Sequence, residues 1–266
     1  MKLTFYSLSS GSSGNCYYLG NENQGLLIDA GISATAIRKY LQEIGISMDS
    51  LMGVIVTHNH GDHVRGLEVL VRKHQLPVLT TAKVWNSLTS PGSKLANHSF
   101  REIELEKEFK LAGFEIKAFP VSHDAPETIG FHINGGEEKI TIATDLGYIC
   151  TYAAKYIRAA SILVIESNYD EKMLTNGNYP HFLKTRIQSD HGHLGNQQVS
   201  NFLADTINSN LHTICFAHLS INNNSPEIAL NTVIDTFSAR GVELGNSKRI
   251  SILNRNSPTK IFAHSI

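Results

Sequence analysis

The sequence predicts an α/β (α+β) fold in which two mixed sheets carry helices on their outer faces, a four-layer αββα sandwich. Three observations predict it. The chain opens with closely spaced strand patterns, its second half alternates helix and strand patterns, and no linker, low-complexity tract or solenoid repeat separates the two. With 266 residues, 41% hydrophobic and 18% charged, the chain can bury a substantial core. We therefore expect one domain over residues 1–266.

The first half of the chain is dominated by short runs of alternating or β-branched residues, which are typical of strands. A first helix is expected from the capping Ser33 to about Ile44, ended by Gly45, and a second from about Asp62 to His74. The strand predictions are Leu3–Ser7, Cys16–Leu19, Gly25–Ile28, Gly53–Thr57, Pro77–Thr80, Phe100–Glu104, Phe109–Leu111, Phe114–Pro120, Ile129–Asn134 and Lys139–Ala143.

After residue 147 the pattern becomes an alternation of amphipathic helices and apolar strands, which favours parallel pairing. Helix Asn196–Asn208 carries Val199, Phe202 and Leu203 on one face, which indicates a core-facing helix. The other elements predicted here are helix Tyr148–Ala159, strand Ile162–Glu166, helical stretches Asp170–Leu174 and Tyr179–Arg186, strand His212–Ala217, helix Pro226–Ala239 and a closing strand near Arg249–Leu253.

Charge and composition exclude several classes of protein. Lysine and arginine number 23 against 24 acidic residues, so the net charge of −1 gives no whole-molecule attraction for nucleic acid. No apolar run approaches the roughly 18 residues that a membrane helix needs, and the N-terminus lacks the apolar region of a signal peptide. We expect a cytoplasmic protein without membrane contact. The three cysteines, in no CxxC pair, are expected to be ordinary buried residues.

A histidine-rich loop is the strongest functional signal in the sequence. Residues 57–63 read THNHGDH and follow directly on an apolar strand. In an extended segment, residues two apart point the same way, so His58 and His60 can present two imidazoles to one cation, while Asp62 and His63 can face a second. Gly61 is expected to permit the tight turn between the two pairs. The pattern predicts a metal site.

Three further ligand types follow the ends of other apolar strands. His123, Asp145 and His218 each stand one or a few residues past such a strand. A two-metal site needs about three protein groups beyond the four in the loop. Together, the seven residues form a complete candidate ligand set for two metal ions.

At these residues the sequence resembles the metallo-β-lactamase superfamily, whose ordered motifs are HxHxDH, a later His, a later Asp and a last His. The resemblance implies that His58, His60 and His123 bind one metal, and that Asp62, His63 and His218 bind the second, with Asp145 bridging both. It also matches Asp29 to an aspartate that orders the metal loop through hydrogen bonds.

Within the superfamily, the chain looks like the YycJ-like (WalJ) branch, which is related to tRNase Z and RNase J. The interval between Asp145 and His218 leaves no room for the β-CASP domain that the RNase J type inserts there. Two positions, Tyr169 and Gly195, depart from the His and Ser of relatives. The stretches that carry the resemblance are SSGSSGN at 9–15, PVSHDA at 120–125, ATDLGY at 143–148, ESNYD at 166–170, GHLGN at 192–196 and AHLS at 217–220.

The branch resemblance implies a dinuclear metal-dependent hydrolase that cleaves phosphodiester bonds of nucleic acid, as a DNA exonuclease rather than an RNA enzyme. Asp62, Glu166 and His193 are the catalytic candidates. Glu166 and His193 resemble the tRNase Z pair that flanks the scissile phosphate, where the histidine holds a phosphate oxygen or protonates the leaving oxygen. The glycine- and serine-rich segment 9–14 and a basic C-terminal tail with Lys248, Arg249, Arg255 and Lys260 could contact phosphates.

Two alternatives stay open at this point. A lactone or carboxylic ester hydrolase could use the same seven ligands, but it would need an apolar pocket and no phosphate-binding His193. A metal-stabilised binding protein is the alternative from another class. The two divalent ions are expected to be zinc, with manganese or iron also compatible with imidazole-rich ligands. The sequence does not indicate an oligomeric state.

Overall fold

The strands of the protein form two seven-stranded mixed sheets. The computed structural model describes residues 2–243 and 249–263. The first sheet has the order β14-β1-β2-β3-β4-β5-β6 and the second β13-β12-β11-β10-β9-β8-β7. The strands are β1 Thr4–Ser9, β2 Cys16–Gly20, β3 Gly25–Ile28, β4 Leu51–Ile55, β5 Val78–Thr80, β6 Phe100–Glu102, β7 Glu108–Leu111, β8 Phe114–Val121, β9 Thr128–Gly135, β10 Glu138–Ala143, β11 Ile162–Glu166, β12 Thr213–Ala217, β13 Arg249–Ile252 and β14 Thr259–Ala263.

Helices connect the parallel strands in each sheet. They are α1 Ala34–Glu43, α2 Gly61–Val64, α3 Leu67–His74, α4 Ala82–Leu88, α5 Thr151–Ala159, α6 Glu171–Asn176, α7 His181–Gln188, α8 Asn196–Thr206 and α9 Pro226–Ala239, with short 3₁₀ turns at Met48–Ser50 and Lys94–Asn97. Among the described residues, no helix combines the length and apolar character that crossing a bilayer requires.

Two of the sequence predictions for these elements are corrected by the structure, and one helix was not predicted. The helix expected from Asp62 to His74 is broken into α2 and α3 at Gly66, where an added Cβ would lie 2.1 Å from the Ile32 carbonyl oxygen. Helix α4 has no counterpart among the predictions. Strand β13 does not close the chain, because β14 follows it and pairs antiparallel with β1 in the other sheet. Pairing between strands so far apart in the chain cannot be recognised from the local sequence of either strand.

Three apolar layers hold the four structural layers together, which confirms the predicted αββα sandwich. Between the sheets lie side chains such as Phe5, Phe114 and Phe131, all fully buried. On the outer face of the first sheet, Ile37 and Leu70 anchor α1 and α3. On the outer face of the second, the anchors of α5, α8 and α9 are Tyr156 and Ile157, Val199 and Leu203, and Val233 and Phe237. Burial of this area is the main favourable term in folding.

Parallel pairing brings the polar strand ends to one edge of each sheet. β3, β4 and β5 are parallel to one another, as are β10, β11 and β12. The carboxyl ends of parallel strands share one edge, where open α/β sheets place their ligands. The segments that follow β3, β4, β10 and β12 hold the sequence-predicted residues Asp29, 57–63, Asp145 and His218.

Candidate metal centre

The loop after β4 places two histidines beside a third from the segment after β8. His58, His60 and His123 each offer a ring nitrogen within 4.8 Å of the others, and together they could hold one metal ion. His58 is fully buried and His123 is 8% exposed, so these imidazoles are withdrawn from water. This is the first of the two ligand groups that the family resemblance implies.

Hydrogen bonds made by Nδ1 set the tautomers of three histidines in the cluster, which are His58, His63 and His123. His63 Nδ1 donates to Asp29 Oδ2 at 2.7 Å, and His123 Nδ1 donates to the Gly192 carbonyl at 2.9 Å. His58 Nδ1 lies 3.0 Å from Thr57 Oγ1, whose own proton goes to Asp29. Each ring therefore turns its Nε2 to the interior of the site, as metal-binding histidines do. Asp29 also accepts from the Thr57 backbone N–H and so orders the loop.

The second group is built around the buried carboxylate of Asp145, which is 1% exposed. Its Oδ2 lies 3.0 Å from His63 Nε2 and its Oδ1 2.9 Å from His218 Nδ1. Asp62 Oδ2 lies 3.3 Å from His218 Nε2. Asp62, His63 and His218 could hold one metal ion, and His58, His63 and Asp145 form a further group, so Asp145 stands between the two sets.

Unsatisfied buried atoms show that these residues fit a cation. His58 Nε2 and His123 Nε2 have no hydrogen-bond partner among the described residues, although both are buried. Burial holds the pKa of His58 well below its usual range, so that its lone pair is free. Burial alone would lower the pKa of His63, but the charges of Asp145 and Asp29 raise it to about 10. A cation is favoured between His63 and Asp145, and a metal ion would displace the proton there.

Three site residues share an unusual backbone conformation. Asp29, Asp145 and His218 have φ values of 60°, 57° and 54°, in the left-handed region that non-glycine residues rarely adopt. Each follows a parallel strand directly or by two residues, and the turn aims the side chain across the sheet edge. Such strain is found at functional sites, where surrounding contacts enforce it.

The glycine that the metal loop requires is Gly31, not Gly61. An added Cβ at Gly61 would meet nothing within 4 Å, and Gly61 has no positive φ, so the predicted role of Gly61 in a tight turn is wrong. At Gly31 an added Cβ would lie 1.7 Å from the Asp62 carbonyl oxygen. Three segments meet here, because Gly31 N donates to Asn15 O and Asn15 N donates to Asp62 O.

We predict that Gly31→Ala destabilises the protein by about 3 kcal/mol or more, because a backbone clash cannot be relieved by a rotamer change. Gly61→Ala, in the same loop, is the matched control and should change the free energy of unfolding by less than about 1 kcal/mol. Denaturant unfolding of both variants measures this. Equal stability of the two variants would contradict the close approach at Gly31.

Glu166 joins two histidines at the end of β11. Its Oε1 accepts from His193 Nδ1 at 2.7 Å and lies 3.1 Å from His218 Nδ1, while its Oε2 accepts from the Leu146 and Leu194 backbone N–H groups. Burial would raise the pKa of Glu166, but His193 lowers it to about 2. Burial would lower the pKa of His193, and Glu166 raises it instead. Asp145, Glu166, His193 and His218 also form a group that could hold a metal.

A cavity of about 270 Å³ opens onto the cluster. Asn15, Asp124 and Arg186, which the sequence analysis did not select as site residues, lie beside the cluster or line the cavity. Asn15 is fully buried, with Nδ2 3.0 Å from His63 Nε2 and 3.4 Å from Asp62 Oδ2, so it adjoins the cluster from behind. Asp124 Oδ1 lies 3.3 Å from His123 Nε2, and Arg186 of α7 binds Asp124. Asn15 and Asp124 stand within the quoted motif stretches, which was the available signal. Among the residues that line the cavity are Asp124, Arg186 and, from the predicted set, His60, Asp62, His123, Asp145, His193 and His218.

The basic tail and the two departures from the family pattern have structural contacts. Arg255 donates to the Leu219 carbonyl and its guanidinium packs under Gly11. Arg249 lies on β13 and Lys260 on β14, which are edge strands of different sheets. These two residues therefore do not form one continuous basic segment. Lys248 lies outside the described residues. Tyr169 and Gly195 form a bridge, and an added Cβ at Gly195 would lie 3.0 Å from the Tyr169 ring, so the small residue accommodates the large one.

Comparisons with known proteins agree with this architecture. The beta-lactamase superfamily domain matches residues 25–214. Exodeoxyribonuclease YycJ of Bacillus anthracis is 35% identical over 98% of this chain and 99% of its own. Exodeoxyribonuclease WalJ of Streptococcus pneumoniae is 32% identical over 90% and 89%. The metallo-β-lactamase fold protein YhfI from Bacillus subtilis superposes with a TM-score of 0.72 over 98% of this chain and 100% of its own, at 14% identity, which supports the fold.

Proposed function

The chain belongs to the metallo-β-lactamase superfamily and to its YycJ/WalJ family, and from that premise we propose that it is a metal-dependent exonuclease that hydrolyses phosphodiester bonds of DNA. The observation that carries the proposal is the cluster beside the cavity, where the seven predicted ligand residues meet next to the Glu166–His193 pair. The near-full-length similarity to curated exodeoxyribonucleases supports the choice of DNA as substrate.

The cavity lining supports an anionic substrate. His193 and Arg186 both line it, and both can donate to a phosphate oxygen. A lactone or ester hydrolase would need an apolar pocket without these groups, so the lining disfavours that alternative. A binding protein without turnover gives no reason for the buried Glu166 that holds His193.

We propose that the first metal is held by His58, His60 and His123, the second by Asp62, His63 and His218, and that Asp145 contacts both. Zinc suits this imidazole-rich set, and manganese or iron would also fit it. When bound, such ions lower the pKa of water and polarise a phosphoryl oxygen.

The chain's own residues then orient the substrate and move a proton. Glu166 holds the Nδ1 proton of His193, which leaves Nε2 as the ring nitrogen that can reach a substrate in the cavity. From there, Nε2 can donate to the scissile phosphate or to the leaving oxygen. Asp62 is fixed from behind by Asn15 and stands at the cavity wall, where it can accept a hydrogen bond from the attacking water.

A cytoplasmic location fits an enzyme that acts on DNA.

The test uses purified protein prepared without chelator on end-labelled single- and double-stranded DNA and RNA, with zinc, manganese or iron added. We expect about two metal equivalents per chain, stepwise release of nucleotides from DNA and loss of turnover on chelation. Internal cleavage without stepwise release would refute an exonuclease, and hydrolysis of lactones but not of nucleic acid would support the first alternative. Loss of fold on chelation without any turnover would support the binding protein.

A further inference from the structure

The two most exposed large apolar side chains among the described residues both belong to segments that border the metal cavity. Phe182 is 73% exposed and Ile221 is 66% exposed. Phe182 precedes Leu183 in α7, and Ile221 follows Ser220, and both of these neighbours line the cavity. Large apolar side chains that are left exposed beside a polar site can contact what enters that site.

Helix α7 forms one wall of the cavity rather than packing into the core. None of its eight residues is buried. Leu183 and Ile187, four residues apart, line the cavity, while Phe182 and Arg186 form the neighbouring stripe with the same spacing. A helix whose apolar face is turned to the cavity gains little from the core, so these side chains are accessible to what enters the cavity.

A hydrogen bond joins the two segments that carry these exposed side chains. Tyr179, just before α7, accepts at its hydroxyl from Asn222 Nδ2 at 2.9 Å, and Asn222 follows Ile221 directly. Tyr179 also lines the cavity. The start of α7 and the loop after His218 therefore form one continuous rim.

The guanidinium of Arg186 lies between this rim and the metal cluster. Arg186 lines the cavity, lies one turn along α7 from Phe182, and binds the carboxylate of Asp124, whose other oxygen lies 3.3 Å from His123 Nε2. Its side chain remains 59% exposed. A guanidinium offers five N–H donors, so Arg186 can bind Asp124 and a phosphate at the same time.

We propose that Phe182 and Ile221 form a stacking site for the bases of a single DNA strand whose end reaches the metal centre. The Phe182 ring stacks on a base, Ile221 supplies apolar contact beside it, and Arg186 binds the phosphate between the site and the cluster. This rests on the proposed function. An aromatic ring, a cation and a metal-binding cavity in succession match the alternating bases and phosphates of a strand. Base–aromatic stacking has little sequence preference, which suits an enzyme that degrades a strand stepwise.

The test pairs a protein change with a substrate change. Phe182→Ala is measured on a single-stranded oligodeoxynucleotide and on the same strand with abasic sites at its terminal nucleotides. For the normal strand we expect KM to rise about fivefold or more with kcat little changed. The abasic strand should be bound equally by the variant and the wild type, because it has no base to stack. Phe182→Tyr should restore the wild-type KM.

Two isoleucines provide the matched control. Ile221→Ala at the rim should raise KM for the normal strand, while Ile234→Ala, 43% exposed on α9, should not. An unchanged KM for Phe182→Ala, or the same rise on both strands, would overturn the stacking site. A fall in kcat on both strands would also overturn it, since α7 would then act by shaping the metal cluster. A wild type that cuts no DNA refutes the proposed function instead, before any variant is made.

Discussion

Asp145→Asn is expected to lower kcat/KM on DNA by at least about a thousandfold and to remove most of the bound metal, while the fold is retained. Asn has the size of Asp and tolerates the left-handed φ of 57° found here, so the change removes the charge and little else. That charge lies 3.0 Å from His63 Nε2 and 2.9 Å from His218 Nδ1, with almost no access to water.

Metal analysis, steady-state hydrolysis and circular dichroism on the same preparation measure the effect. Asp235→Asn, on an exposed position of α9, is the control for loss of a carboxylate as such and should match the wild type. A variant at position 145 that keeps the full metal content and a rate within about tenfold of wild type would show that Asp145 does not contact both metals.

His193→Ala is expected to lower kcat by about 100- to 10,000-fold with little change in metal content, the range for loss of a positioned proton donor. His193 lines the cavity and its Nδ1 is committed to Glu166, so its Nε2 alone is left for the substrate. Glu166→Gln should act in the same direction, because an amide cannot accept from His193 and from the Leu146 and Leu194 N–H groups as the carboxylate does.

If the pair works as one unit, the double variant should be little worse than His193→Ala, and a double-mutant cycle on kcat measures that coupling. Metal content decides between the two roles that the geometry allows. Loss of metal in His193→Ala would make His193 a ligand together with Asp145, Glu166 and His218, as their distances permit. Additive effects on kcat with full metal content would mean that Glu166 acts separately from His193.

The sequence determined the layer order, most of the helices and strands, and the identity of the residues that cluster. Strand β3, strand β11 and helix α9 have the predicted boundaries, because each is bounded by turn or capping residues and carries a clear apolar period. The ordered histidines and aspartates could be found because each stands just past an apolar strand, and parallel strands bring their ends to one edge.

Only the tertiary structure decided what depends on contacts between distant segments. The pairing of β14 with β1 joins residues more than 250 apart in sequence, and the break between α2 and α3 follows from the approach of the Ile32 carbonyl to Gly66. Nothing near Gly31 in sequence indicates that Asp62 will pack against it. Gly61, by contrast, looks necessary for a tight turn in the metal loop, and the structure shows that it is not. Helix α7 reads as an ordinary helix until the structure places its apolar face on the cavity. Local patterns report periodicity and turn chemistry, whereas a close approach, a left-handed turn at Asp145 or a helix used as a wall is set by neighbours that the chain brings together only when it folds.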